Sequence, residues 1–274
     1  MKRSLTTIAV LLISSAALRA DVTLVQTTTI EGGMAAMAAA GGNTINPKLT
    51  TRVKGSKSRT DVEAGPMMVA TILDLATKQV IVLRPDLKTA TVSTPTQPPA
   101  GTAQMTGPKV DGSVTPTGKS QVIDGVKCDE YAFTTTVDMS SMSGGPMPPE
   151  AAAAMQGMKM VMAGSLWVSK DAPGAAEYLA FQKAAASGEM SKAASSMTGM
   201  NIPGMDKMMK AMSAVNGLTY LTEMTMNIEG SGQMADMMRQ MGPMKITTRV
   251  TSISTAAVGD DLFAIPAGYT VSRQ

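Results

Sequence analysis

Apolar and polar positions alternate with a period of two along much of this chain, the pattern of strands buried on one face. Residues 21–30 (DVTLVQTTTI) are rich in Val, Thr and Ile, which favour a pleated backbone. Residues 44–53 and 56–63 predict two strands around Gly55. Residues 67–75, 79–84 and 88–94 predict a meander with turns at Ala76-Thr77-Lys78 and Pro85-Asp86. In its first strand Val69, Thr71, Leu73 and Leu75 lie opposite Ala70, Ile72 and Asp74, so one face is expected to be covered. Residues 117–137 predict a hairpin turning at Asp124-Gly125, a pair suited to a type I′ turn with positive φ at both positions. In its second strand Tyr131, Phe133, Thr135 and Val137 share one face; Cys128, Glu130, Ala132 and Thr134 share the other. Residues 165–170, with the only Trp, then 218–228, 244–254 and 269–272 complete the expected strands.

Elsewhere the period changes to 3.6. Residues 173–186 predict a helix whose large apolar residues are Tyr178, Leu179 and Phe181. Met205, Met208, Met209 and Met212 recur at i, i+3, i+4 and i+7 within 203–215, and Met234, Met237, Met238 and Met241 repeat that spacing within 231–241. Pro148-Pro149-Glu150 is expected to open a shorter helix, and 31–42 (EGGMAAMAAAGG) suits a short helix or a loop. Residues 95–116 and 139–161 are expected to be flexible surface loops, the first rich in Pro, Gly and Thr. This order predicts an α+β fold: a curved antiparallel sheet with Met-rich helices across one face.

Thr117-Gly118-Lys119, Ile123-Asp124-Gly125-Val126-Lys127-Cys128, Tyr131 and Trp167-Val168-Ser169-Lys170-Asp171 together resemble the signature of an uncharacterised secreted bacterial family, the domain of unknown function 4412 type. In architecture that family is similar to the LolA-like periplasmic lipoprotein carriers. Residues 263–269 (FAIPAGY) resemble the usual last strand of such domains. The resemblance implies a LolA-like half-open barrel and favours a lipid or a lipidated protein as ligand.

The first residues carry an address. Met1-Lys2-Arg3 is basic, 5–18 is apolar, and Leu18-Arg19-Ala20 precedes the expected cut after Ala20. That is the plan of a signal peptide, too short in its apolar run for the ~20 residues of a span. A periplasmic or secreted protein is expected, with 21–274 as a single domain and no membrane-spanning segment after the signal is removed. Removing Lys2, Arg3 and Arg19 takes the formal charge of +3 to about zero. A neutral chain with 3% aromatic residues is a poor nucleic-acid binder, so no nucleic-acid partner is expected. The single Cys128 excludes a disulfide framework; it suits a buried strand position, with intermolecular pairing or a redox role as the alternative.

The chain has no His, which removes the commonest general base and the usual zinc ligands. Gly112 to Ser120 fails the phosphate-loop spacing by one residue and is followed by a strand. Asp129 and Glu130 are adjacent in a strand and point apart, and Asp260-Asp261 suit a turn. No catalytic constellation and no cofactor are expected, so the protein is read as non-enzymatic.

Methionine is the unusual feature: 21 of 27 fall between Met139 and Met244. They suit simple filling of Ala-rich helices, an adaptable surface for an apolar ligand, or a Cu(I) site of thioethers at Met205, Met208, Met209 and Met212. The expected activity is binding of a lipid, another apolar ligand or a lipidated protein, with Trp167, Tyr131, Phe133 and Tyr220 lining the site. Met208, Met209, Met212, Met237 and Met238 are expected to cover it. Copper buffering and a structural envelope role without ligand are the alternatives.

Overall fold

In this computed structural model the described residues are 21–32, 46–94, 105–106, 108–139, 157–186, 200–201, 204, 207, 210–212, 214–231 and 233–273. The signal segment, most of 31–42 and the Pro148-Pro149-Glu150 helix fall outside them.

Twelve strands hydrogen-bond into one sheet: β1 (Val22–Glu31), β2 (Lys48–Lys54), β3 (Lys57–Ala64), β4 (Met67–Asp74), β5 (Gln79–Arg84), β6 (Thr89–Ser93), β8 (Lys109–Ile123), β9 (Val126–Asp138), β10 (Lys159–Ser169), β12 (Leu218–Glu229), β13 (Met244–Ser254) and β14 (Thr270–Arg273). Their order is β14-β6-β5-β4-β3-β2-β1-β13-β12-β10-β9-β8. Every neighbouring pair is antiparallel except β14 with β6, which is parallel. β7 (Met105–Thr106) and β11 (Met200–Asn201) form a separate two-residue parallel pair. Among the described residues the longer helices are α1 (Ala175–Ala186) and α2 (Gln233–Gln240), accompanied by a 3-10 turn over Asp260–Phe263.

The protein is therefore mostly β, with a large open mixed sheet, and not the expected α+β fold with Met-rich helices across one face of a half-open barrel. Much of the sequence read as loop or helix cover joins strands. β8 begins at Lys109, inside the expected 95–116 loop, and β10 begins at Lys159, inside the expected 139–161 loop. Pro116 caused the first misreading. It cannot donate to a ladder, but β8 is the edge of the sheet and shifts register between Pro116 and Ser120, where a proline is tolerated. The helix that does cover the sheet is α1, whose buried residues are Ala175 and Phe181 rather than methionines. α2 is eight residues long and lies beside β12; it buries Ala235 and leaves Met237 exposed.

The antiparallel meander and the hairpin follow the sequence closely. β5 and β13 have the expected bounds, and in β4 it is Ala70 and Ile72 that are buried. Ala70, Ile72, Leu83 and Ala90 pack against Val258 and Phe263 of the segment that follows β13. Lys54 donates to the Val258 carbonyl at 2.7 Å and pairs with Asp260 at 2.9 Å. Arg59 grips Asp61 at 2.7 Å and donates to the Leu262 carbonyl at 2.9 Å. These contacts strap the segment onto β2 and β3.

Candidate functional site

The site is organised by α1. Alanine favours helix, Glu177 lies in the first turn and Lys183 in the last, and each suits the helix dipole at its own end. Phe181 and Tyr178 point at the sheet and meet Val22, Val53, Leu73 and Leu75. The entry to α1 is set by Gly174, at φ +70, where a Cβ would lie 2.7 Å from Val22 Cγ2. Only glycine lets the chain turn so close to β1.

Ala176, Ala180 and Ala184 recur at i, i+4 and i+8 and form one strip of methyl groups along the helix. Side chains this small leave space beside the strip. A cleft of about 520 Å³ opens between it and the ends of the first sheet strands. Its walls are Val53, Leu75 and Phe181 with the alanine methyls; Gly55, Ser56 and Ala76 form the rim. Among the described residues Glu177 is the one ionisable residue lining it. The rim is held firmly: the Leu75 amide donates to the Ser56 carbonyl at 2.9 Å, and Asp74 Oδ1 accepts from the Ala76 amide at 2.9 Å. On the other flank of the same strip a smaller groove, about 370 Å³, is lined by Ala176, Leu179, Ala180, Lys170, Lys183 and Asn216. Lys170 also pairs with Asp129 at 3.6 Å. Asp129 in turn accepts from Ser120 Oγ at 2.7 Å, which with Lys170 holds its carboxyl below the usual carboxylate range.

The four aromatic residues expected to line one space are divided. Trp167 and Tyr220 pack with Cys128, Leu24, Leu218 and Ala175 in one cluster. Tyr131 and Phe133 pack against Leu166, Val168 and Val215 in another. Register explains the split, because Trp167 pairs with Glu130 while Leu166 pairs with Tyr131, so Trp167 lies on the face opposite Tyr131 and Phe133. Trp167 and Tyr220 are core residues, 9% and 8% exposed, and neither lines the cleft beside α1. Among the described residues the buried Trp167 Nε1 donor has no hydrogen-bond partner. Of the expected methionine cover, Met212 and Met237 are exposed. Met205, Met208 and Met209 lie outside the described residues, as does the side chain of Met238. No group of three or more His, Cys, Asp or Glu among the described residues is placed to hold a metal ion. Among them, too, no helix is long and apolar enough to cross a membrane.

The hairpin tip adds one long-range tie. Asp124 and Gly125 have φ of +51 and +80, as the turn requires. Asp124 accepts two bonds from Arg249 of β13, at 2.6 and 3.1 Å. β10 and β12 lie between β9 and β13, so this tie reaches across two strands. Burial and the neighbouring Asp124 and Cys128 push the Tyr220 hydroxyl above its ordinary pKa, against the opposing pull of Arg249. Burial likewise pushes the Cys128 thiol up, with Asp129 and Asp124 adding to it.

Sequence reasoning missed the cleft because it weighed large apolar side chains. The legible signal was the spacing of Ala176, Ala180 and Ala184, a row of gaps along an otherwise predicted helix.

No family model and no curated protein matches the chain. Among solved structures it is similar to an uncharacterized conserved protein from Thermus thermophilus, with 8% identity and a TM-score of 0.37, over 94% of this chain and 92% of that one. It is also similar to PNGF-II, with 11% identity and a TM-score of 0.36, over 93% of this chain. The match spans 31% of PNGF-II. Likeness at this level assigns neither family nor function.

Proposed function

We propose that this protein is a non-catalytic, extracytoplasmic binding protein that holds an apolar ligand in the cleft between α1 and the ends of β2 and β4. The observation that carries the reading is the cleft itself: about 520 Å³, walled by Val53, Leu75, Phe181 and alanine methyls. That volume lies within the ~300–1,000 Å³ of small-molecule sites, and apolar walls with few polar groups are their usual lining. The signal-like first residues support the compartment. Among the described lining residues Glu177 is a lone carboxylate, which offers no acid–base pair for catalysis.

The test is fluorescence titration with N-phenylnaphthylamine, an uncharged apolar probe. The protein is expected to bind it, and Ala184→Trp, which fills the cleft from the helix side, is expected to weaken binding at least tenfold with an unchanged circular dichroism spectrum. Absence of binding by the unmodified protein, or equal affinity of Ala184→Trp, overturns the assignment.

A further inference from the structure

The two spaces beside α1 differ in charge, and their arrangement narrows the class of ligand. They share Ala176 and Ala180 and so flank the same strip of methyl groups. Among the described residues the apolar side carries a single carboxylate, Glu177, and no cation. The other side carries two ammonium groups, Lys170 and Lys183, with the Asn216 amide and, among the described residues, no acid in its lining. Lys170 is partly engaged by Asp129, but at 3.6 Å with both side chains well exposed; such a pair is worth little and leaves most of the ammonium's donors free. No ion pair of Lys183 is found among the described residues.

We infer that the ligand is an anionic amphiphile, a chain with a carboxylate or phosphate head, lying with its tail in the cleft against Phe181 and its head across the alanine strip at Lys170 and Lys183. This rests on the apolar-ligand reading above and adds the head group and its orientation. Glu177 sets the orientation by repelling an anion from the apolar side, while the lysines attract it to the other. The head has only the alanine strip to cross, which a long alkyl chain covers. Ammonium groups recognise carboxylate and phosphate as point charges without demanding planar geometry, so both heads fit.

Four probes separate the elements of this inference: oleate, dodecyl phosphate, the uncharged methyl oleate, and inorganic phosphate. Each is titrated by calorimetry against the unmodified protein, Lys170→Gln/Lys183→Gln and Lys170→Arg/Lys183→Arg. Oleate and dodecyl phosphate are expected to bind at least tenfold more tightly than methyl oleate. The glutamine pair is expected to remove that preference while leaving methyl oleate within twofold, and the arginine pair is expected to keep it. Weak or no binding of inorganic phosphate is expected, since the head alone forgoes the cleft. Equal binding of oleate and methyl oleate, unchanged by the glutamine pair, overturns the head-group assignment and leaves the apolar cleft standing. Failure of all three chain-bearing probes overturns both. Tight binding of inorganic phosphate abolished by the glutamine pair, with no gain from a chain, makes the lysine groove a free-anion site and overturns the amphiphile.

Discussion

Cys128 shows how far a single residue's environment was readable. Its place on an alternating strand suggested burial, and it is fully buried among Leu24, Trp167 and Leu218. Burial raises its pKa first, and Asp129 and Asp124 raise it further, so the thiolate that reacts is scarce at neutral pH. Iodoacetamide at pH 8 is expected to leave the folded protein unlabelled and to label it fully in denaturant; fast labelling of the folded protein, read by mass spectrometry, would contradict this environment. Lys54 and Asp260 are the second instance. Their hydrogen bond raises Lys54 and lowers Asp260 from their ordinary values. The lowered carboxyl contributes stability that is present above the ordinary carboxylate pKa and lost as pH falls through its folded value, below about pH 4. The raised amine contributes below its ordinary pKa and loses its share as pH climbs past about 10. Thermal midpoints measured from pH 3 to 7 are expected to fall at the acid end, and Asp260→Asn is expected to flatten that fall; an unchanged acid slope in Asp260→Asn would show that the strap carries none of it.

Among the elements, α1 depends on its entry. Gly174 combines a positive φ with a Cβ position 2.7 Å from Val22, so Gly174→Ala faces both backbone strain and a clash with a fully buried side chain. A loss of about 1–3 kcal/mol is expected from strain of this kind, read by urea unfolding, and ligand binding in the cleft is expected to weaken as α1 shifts. Gly55→Ala makes the contrast: its φ is also positive, but nothing lies within 4 Å of the added carbon, so a smaller loss is expected. The elements that sequence predicted well are those whose signal is local. The Asp124-Gly125 turn needs only its own two residues, and β4, β5 and β13 show their alternation within one window. The first half of β8, 109–116, was misread because its composition, with Gly112 and Pro116 and with Pro108 just before it, is that of a loop; only its position at the sheet edge makes such a strand tolerable. The methionine stripe at 231–241 did mark a helix, yet its spacing could not tell a buried face from an exposed one, and Met237 is 58% exposed. The expected grouping of the aromatics was unreadable for a related reason: Trp167 and Tyr131 are both large and apolar, but only the pairing of β9 with β10 reveals that they leave on opposite faces.

At the scale of the whole molecule the strand order could not be read locally, because it brings the first and late strands together: β1 lies between β2 and β13. An open sheet of this size must also manage two edges. One edge is β8, whose Pro116, register shift and Lys109 and Lys119 discourage pairing with a second copy. The other is closed by the four-residue β14, which runs parallel to β6 from Thr270–Thr89 to Arg273–Val92 and is itself exposed along its length. Ser272 Oγ adds a bond to Thr91 Oγ1 at 3.3 Å, and the Thr270 amide donates to the Lys88 carbonyl at 2.9 Å. β14 thus covers the backbone of β6, a strand of β-branched and small residues that would otherwise present unpaired groups. Val271→Pro removes a donor and restricts the preceding residue without touching the buried clusters. Because β14 buries no side chain, the variant is expected to lose less than about 1.5 kcal/mol of stability, the scale of a single net hydrogen bond, yet to self-associate as β6 becomes the new edge. Light scattering across a concentration series decides the point: association with near-normal unfolding is expected, whereas a monomer at all concentrations would mean that β6 is protected by its own sequence and β14 is dispensable.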